Sequence, residues 1–250
     1  MMGIFNSKCY YFVKVELIKD FFFPKTCINC AKFGNYICCN CLKKIIFLEQ
    51  QLCPVCGRAG ADGQTHPACY QKNSLNGLIS VLDYHQPIAK KLVEKIKYRF
   101  ISDLINEAGH LMFNFLAKKK YLTFEAFLKE KPIIVPVPLH QKRQAWRGFN
   151  QSALIGKFFS QKLNLICIDD FLLRTRNTTP QVELKGRERK INIKGAFQIN
   201  KIYWPIVNKR KSIKVFLVDD VWTTGSTIKE CTKVLKSKGI EKVWALTLTR

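Results

Sequence analysis

The sequence predicts an α/β fold with a mainly parallel sheet flanked by helices, together with a small N-terminal cysteine-rich module. Two observations carry this prediction. Apolar strand segments alternate with helical segments from residue 78 onward, which is the pattern of parallel sheets with crossover helices. Nine of the 11 cysteines fall between Cys9 and Cys69, so the composition changes near residue 72. We therefore expect a module at 25–72 and an α/β domain at 78–250.

Composition excludes two broad classes. With 47% hydrophobic residues and 18 Phe, the chain has enough apolar material for a packed core, so it is not a disordered protein. Its apolar runs are far shorter than the roughly 20 residues that span a bilayer, so we do not expect an integral membrane protein. Charges interrupt the aromatic segment before Pro24 and no small-residue cleavage site follows, so residues 1–24 predict an amphipathic helix rather than a signal peptide. Without an export signal, we expect a cytoplasmic location.

Each element of the α/β domain follows from a local pattern. Short apolar segments rich in β-branched residues predict five strands, at 78–84, 133–138, 166–173, 214–218 and 243–248. Apolar positions at helical spacing over 88–119, with an interruption near 99–103, predict two helices. Residues 152–163 predict another helix, and a last one runs over 227–237 and ends before Gly239.

The N-terminal module carries four pairs of metal-binding residues, each separated by two residues: Cys27 and Cys30, Cys38 and Cys41, Cys53 and Cys56, His66 and Cys69. This spacing lets one tight turn place both side chains on a single tetrahedral ion, and Zn²⁺ suits thiolates and imidazole. We expect one or two structural zinc ions, with the ligands paired in chain order. A cross-braced arrangement is the alternative, and His66 could instead be an exposed loop residue.

The segment from Val215 to Thr227 is the most informative part of the α/β domain. A hydrophobic strand ends in two adjacent carboxylates, Asp219 and Asp220, and a Thr/Gly/Ser turn then opens a helix. Ligands of open α/β sheets bind at the carboxyl ends of the strands, and a helix N-terminus suits a phosphate. Two carboxylates can accept hydrogen bonds from vicinal hydroxyls, and the neighbouring turn can hold a phosphate. The two features together suit a ribose 5-phosphate. An ordinary strand end followed by a capped helix is the simpler alternative.

Charge is concentrated in the second half of the chain. The formal net charge is +24, and from His140 to Val215 there are 17 Lys and Arg against four acids, a net of +13. A basic stretch of this kind indicates polyphosphate or nucleic acid as the partner. The alternative is a proteome that uses Lys as its default surface residue, although the clustered arginines favour phosphate contacts.

The segment around Asp219 and Asp220 resembles the phosphoribosyl pyrophosphate motif of type I phosphoribosyltransferases, and further residues make the chain similar to the ComF family. A second set includes Val135 to Pro138, Arg143 and Arg147 to Gln151. A third set comprises Arg174, Arg176, Thr179, Gln181, Leu184, Arg187, Arg189, Asn192 and Phe197. The zinc knuckles and the segment from Tyr84 through Lys97, Tyr98 and Arg99 also fit. The resemblance therefore sharpens the expected fold to a type I phosphoribosyltransferase-like domain with a zinc-ribbon-like module.

The resemblance implies roles for individual residues. Asp219 and Asp220 would hold the ribose hydroxyls of phosphoribosyl pyrophosphate bound with Mg²⁺. The 5-phosphate would lie on the loop made by Thr223, Thr224, Gly225, Ser226 and Thr227. Arg143 and Arg147 are candidate clamps for the pyrophosphate, and Arg187 belongs to a stretch, 174–192, that would close over the site. Relatives that act on purines carry Asp where this chain has Thr223.

Two functions of different class follow from the resemblance. One is a competence protein that handles incoming single-stranded DNA in natural transformation, with a phosphoribosyl pyrophosphate pocket and DNA-uptake machinery at the inner membrane as partner. Such a protein would be cytoplasmic or peripheral to that membrane. The other is an active Mg²⁺-dependent phosphoribosyltransferase with an unidentified acceptor.

Overall fold

The computed structural model describes residues 24–98, 102–179, 186–203, 205 and 212–250. One compact unit ends at Ile45, and the other runs from Ile46 to Arg250. The division falls between the two predicted sets of zinc ligands, so each set belongs to its own unit. Apart from Pro24, the predicted helix over residues 1–24 lies outside the described residues.

The larger unit is built on a parallel sheet. The strands are β1 (Gly77–Leu82), β2 (Ile133–Pro136), β3 (Leu172–Arg174), β4 (Phe197–Ile199), β5 (Lys214–Val221) and β6 (Lys242–Thr249). Four of them form the parallel sheet in the order β1-β6-β5-β2, while β3 and β4 form an antiparallel pair. Cys167 adds a short parallel bridge beside Ile134. The predicted α/β fold class is confirmed.

The helices are α1 (Cys39–Leu42), α2 (Pro87–Tyr98), α3 (Ser102–Lys119), α4 (Leu122–Lys129), α5 (Gln141–Arg147), α6 (Gln151–Leu163), α7 (Gly186–Ile193) and α8 (Ser226–Ser237). The helices predicted at 88–119, 152–163 and 227–237 are present within about one residue. The short helices α4, α5 and α7 were not predicted. Within the described ranges, every helix is too short or too polar to cross a bilayer.

Both faces of the sheet are covered, which explains why its strands are almost continuously apolar. On one face Phe216 of β5 packs against an aromatic cluster, with its ring centroid 5.3 Å from that of Phe124 and 6.2 Å from that of Phe159. On the other face Val215 and Leu217 belong to a buried cluster that includes apolar residues of α8. Strand β5 is therefore held on both sides, and this fixes the position of the acids at its end.

The chain segment that follows Ile45 covers the outer edge of β1. The buried Gln51 side chain acts as a strand partner for Ser80: its Oε1 accepts from the Ser80 N–H at 2.9 Å, and its Nε2 donates to the Ser80 carbonyl at 3.0 Å. The Leu48 N–H donates to the Val81 carbonyl at 2.9 Å. A sheet edge that would otherwise expose unpaired backbone groups is thereby closed.

Candidate functional site

Four cysteines are brought together in the smaller unit. Their sulfur atoms lie within 4.8 Å of one another, in Cys27, Cys30, Cys38 and Cys41. The Cys38 N–H donates to Cys27 Sγ at 3.5 Å, and Asn29 Nδ2 donates to Cys41 Sγ at 3.4 Å. Donors aimed at sulfur favour the thiolate, which is the metal-binding form. Cys39 is exposed and does not belong to the set.

The second set lies in the larger unit and consists of Cys53, Cys56, His66 and Cys69. His66 Nδ1 lies 3.4 Å from Cys56 Sγ, and its Nε2 lies 2.8 Å from the Ala59 carbonyl oxygen. This is the arrangement of a ligating imidazole, which presents one nitrogen to the metal and donates from the other to a carbonyl. Both sets follow chain order and offer four ligands, so each is compatible with a structural Zn²⁺.

The two acids lie at the carboxyl end of β5 and are buried. Asp219 Oδ1 accepts from the Ser152 hydroxyl and from the Asp220 N–H, both at 2.9 Å. Asp220 Oδ2 accepts from Gln151 Nε2 at 3.4 Å. Ser152 and Gln151 open α6, whose start is fixed because the Asn150 side chain accepts from the Ser152 N–H. The beginning of α6 thus holds both carboxylates in place.

Lys97, on α2, brings a positive charge to this pair. Its Nζ lies 3.3 Å from Asp220 Oδ2. Burial opposes the charged form of Lys97, but the carboxylates of Asp220 and Asp219 outweigh it and raise the pKa of the lysine. Burial, and then repulsion from Asp220, raise the pKa of Asp219 to about 8. Near neutral pH the pair therefore carries less than two negative charges.

The five residues that follow β5 in the predicted phosphate loop, Thr223 to Thr227, differ in the cavity that they face. Thr223 and Thr227 line the same cavity as the acids, whereas Ser226 faces a separate cavity of 400 Å³. The Thr224 and Ser226 hydroxyls lie 2.7 Å apart. Gly225 adopts a left-handed conformation with φ 69°, and a Cβ there would come within 2.3 Å of the Trp222 ring. Trp222 is buried against this turn and belongs to the core.

Of the predicted arginines, Arg143 and Arg147 line the cavity. Arg143 Nη2 donates to the Thr178 carbonyl at 2.6 Å, and Arg147 Nη1 donates to Gln151 Oε1 at 3.3 Å. Arg187 belongs to α7, but its side chain lies outside the described residues.

A cavity of 980 Å³ opens at the carboxyl edge of the sheet. This volume is at the upper end of the range for small-molecule sites, about 300–1,000 Å³. Six cationic side chains and the two acids line it: Lys97, Lys142, Arg143, Arg147, Arg174 and Arg189 with Asp219 and Asp220. Cations and acids therefore share one cavity, which suits a ligand that combines phosphates with hydroxyls.

Arg174 is the buried member of this set. Its Nη2 donates to the Thr178 hydroxyl, while its Nε has no hydrogen-bond partner among the described residues. Burial, and then the neighbouring Arg143 charge, lower the pKa of Arg174 to about 10. A buried guanidinium with an unsatisfied nitrogen beside a second arginine favours an anion as the missing partner.

In the stretch that includes Arg174, hydrogen bonds connect the residues before position 180 with the residues after position 185. Arg176 Nη2 donates to the carbonyls of Asn192 and Lys194, at 2.6 and 2.8 Å. The Thr179 N–H donates to Asn192 Oδ1, and Asn192 Nδ2 donates to the Thr179 carbonyl. Three residues of the third resemblance set therefore brace the start and the end of this stretch.

The sequence analysis gave no individual role in the site to Lys97, Ser152 or Arg174, although Lys97 belongs to the resemblance and Arg174 begins the stretch expected to close over the site. Lys97 and Ser152 belong to helices far from β5 in the chain, and nothing in their local sequence indicates a contact with its acids. The sequence did indicate Arg174 as a candidate, because it is the first cation of the basic stretch that follows an apolar segment. The sequence could not show that its guanidinium is buried at the cavity wall.

Comparison with known proteins agrees with these features. The double zinc ribbon domain family matches residues 18–70, which contain both ligand sets. The chain is 30% identical over 240 residues to competence protein F of Haemophilus influenzae, an alignment that covers 90% of this chain and 97% of that protein. It is also 30% identical over 233 residues to the DNA utilization protein YhgH of Escherichia coli, covering 90% and 98%. Competence protein ComFC of Bacillus subtilis is 25% identical over 229 residues, covering 86% and 84%.

Proposed function

The chain belongs to the ComF family of competence protein F, and from this membership we propose that it handles incoming single-stranded DNA during natural transformation. The names of its relatives support a role in competence and DNA utilization. The observation that carries the proposal is the group of six cations around one cavity, because phosphate contacts supply most of the affinity for single-stranded nucleic acid. It would act in the cytoplasm or at the inner membrane, beside the DNA-uptake machinery.

We further propose that the cavity binds phosphoribosyl pyrophosphate with Mg²⁺. The acids at the end of β5 suit ribose hydroxyls, and the N-terminus of α8 suits the 5-phosphate. Arg143, Arg147 and Arg174 suit the pyrophosphate. The donor set also fits a divalent cation, since Mg²⁺ is bound by carboxylates together with substrate phosphates. Roles for Thr224, Ser226 and Arg187 in this site remain predictions.

An active phosphoribosyltransferase is the second candidate. The observation that favours it is the acid pair beside a helix N-terminus in a cavity that six cations also line. Bound Mg²⁺ and these cations would stabilise the charge that develops on departing pyrophosphate. Lys97 and Ser152 would keep the acids oriented.

Calorimetric titration of phosphoribosyl pyrophosphate with Mg²⁺ tests the pocket. Wild-type protein is expected to bind, and the Asp219→Asn/Asp220→Asn double variant to show no heat. Equal binding by both proteins would contradict the assignment of the acids. Release of pyrophosphate in the presence of a base or an oligonucleotide would establish turnover.

Binding of a labelled single-stranded oligonucleotide tests the DNA proposal separately. The Arg143→Ala/Arg147→Ala variant removes two cavity cations, and Lys201→Ala removes an exposed cation that does not line the cavity. We expect the double variant to weaken binding about tenfold or more and the control to leave it nearly unchanged. Equal losses in both variants would mean that the cavity has no special part in DNA binding.

A further inference from the structure

Helix α5, which carries Arg143 and Arg147 of the second resemblance set, packs no residue into the core. None of its residues is buried. Its ends are capped: His140 Nδ1 accepts from the Lys142 N–H, and Gly148 ends the helix in a left-handed conformation, with its N–H donating to the Gln144 carbonyl at 2.7 Å. The Arg143 and Arg147 side chains add the hydrogen bonds to Thr178 and Gln151 described above. A seven-residue helix without a buried face is marginal in water. Its side chains are therefore not chosen for packing.

One face of α5 nevertheless combines three cations with one aromatic residue. Lys142, Arg143, Trp146 and Arg147 fall at positions i, i+1, i+4 and i+5, which share one side of a helix. All four line the 980 Å³ cavity. Trp146 is 69% exposed. A single exposed hydrophobic residue needs no explanation by itself, but this one is an indole placed among three cations on a helix that contributes nothing to the core.

We infer that Trp146 is a stacking surface for a nucleobase, and that the α5 face binds one nucleotide unit. The base would lie on the indole, while its phosphate would contact the cations of the same face. Aromatic side chains interleaved with cations are the arrangement that binds single-stranded nucleic acid without sequence preference. This inference rests on the proposed function and names the place where a base is held. Tyr84 also lines the cavity, but it is only partly exposed, and Trp222 is buried against the turn after β5 and offers no such surface.

The base could belong to a DNA strand or to a free nucleotide, since both present the same ring and phosphate. Three probes separate the sources: a thymidine oligonucleotide, an abasic oligonucleotide of equal length, and thymidine monophosphate. The variants are Trp146→Ala and Trp146→Phe. Leu122→Ala is the matched control, because Leu122 is 74% exposed at the start of α4 and does not line the cavity.

We expect Trp146→Ala to weaken binding of the thymidine oligonucleotide about 5- to 150-fold, as one lost base stack predicts. Trp146→Phe keeps an aromatic face and is expected to stay within about threefold of wild type. Binding of the abasic oligonucleotide is expected to be unchanged in every variant, because it offers phosphates but no base. Circular dichroism and thermal melting of each variant monitor the fold.

The inference would be overturned if Trp146→Ala weakened the binding of the thymidine and abasic oligonucleotides equally. It would also be overturned if the variant bound every probe as tightly as wild type. Wild-type binding of thymidine monophosphate without binding of either oligonucleotide would instead remove the DNA proposal. The inference would then stand or fall on whether Trp146→Ala lowers the affinity for the monophosphate. If wild type binds none of the three probes, both the inference and the DNA proposal fail, while the calorimetric test of the phosphoribosyl pocket is unaffected.

Discussion

At the scale of single residues, the acid pair at the end of β5 is held in an arrangement that works against stability. Asp219 is buried beside Asp220, and Lys97 contacts only the second of the two carboxylates. Each acid also accepts a hydrogen bond from the start of α6. Natural proteins keep such unfavourable groups where function requires them.

Asp219→Asn is therefore expected to stabilise the protein at high pH. Because the pKa of Asp219 is raised to about 8, the folded state binds more protons than the unfolded state between about pH 4 and pH 8. The free energy of unfolding accordingly falls as pH rises through that window. Asparagine removes this loss, so the melting temperature of the variant relative to wild type should be higher at pH 9 than at pH 5. Asp169→Asn, at an exposed acid, is the control; a difference independent of pH would contradict the prediction.

Gly225 and Gly239 allow backbone strain and steric clash to be separated. Both are left-handed, with φ of 69° and 86°, but a Cβ at Gly239 meets nothing within 4 Å, whereas one at Gly225 meets the Trp222 ring. Gly239→Ala is expected to cost about 1–2 kcal/mol from strain alone. Gly225→Ala should cost about 1–3 kcal/mol more, because the turn must shift against a packed ring. Urea denaturation measures both, and equal costs would argue against the clash.

At the scale of elements, the two ligand sets belong to different units, and the second set is connected to the parallel sheet. The second set lies within the segment whose backbone and Gln51 side chain close the edge of β1. Tyr70, directly after Cys69, also accepts a hydrogen bond from the buried Lys236 of α8 at 3.3 Å. This ligand set is thereby connected to the sheet and to α8, the helix that follows the turn after β5.

Cys53→Ser is therefore expected to destabilise the larger unit, whereas Cys27→Ser is the matched control. Loss of a structural zinc removes its binding free energy from folding, which we expect to cost about 3 kcal/mol or more. All four tryptophans lie beyond Ile45, so their fluorescence reports on the larger unit. Cys53→Ser should lower its melting temperature clearly and Cys27→Ser should not. An equal decrease in both would mean that the units unfold together.

The elements also show which features a sequence can reveal. Strands β5 and β6 were predictable because strands buried on both faces must be apolar throughout, and the ligand sets because Zn²⁺ requires fixed spacing. Helix α5 was not, since it buries nothing and so leaves no periodic pattern. The contact of Lys97 with Asp220 joins positions far apart in the chain, and Trp222 could have faced either the core or the ligand; such outcomes depend on packing that no local pattern records.

At the scale of the whole molecule, charge is the dominant property. A net charge of +24 raises the concentration of phosphate-bearing ligands near the surface, and the cavity adds cations at close range. Lys97 and the raised pKa of Asp219 reduce the opposing charge of the two acids. An anionic ligand therefore meets an attractive field both at a distance and inside the site.

Affinity for a single-stranded oligonucleotide should consequently fall steeply with salt. If six cations contact phosphates, the logarithm of the association constant should fall against the logarithm of salt concentration with a slope of about −4. Removing Arg143 and Arg147 should reduce the magnitude of that slope by about one or two. Anisotropy titrations between about 50 and 200 mM salt measure it, and a flat dependence would contradict an electrostatic role for the cavity.

Helix α5 also bears on how such a protein can change over time. Because no residue of α5 is buried, substitutions of its exposed residues carry little folding penalty, while the caps His140 and Gly148 and the hydrogen bonds of Arg143 and Arg147 hold the helix beside the cavity. Selection can therefore alter the helix without first compensating the core. In this molecule the architecture and the choice of ligand can evolve separately, and a designer could exchange the exposed residues of α5 to redirect binding while retaining the scaffold.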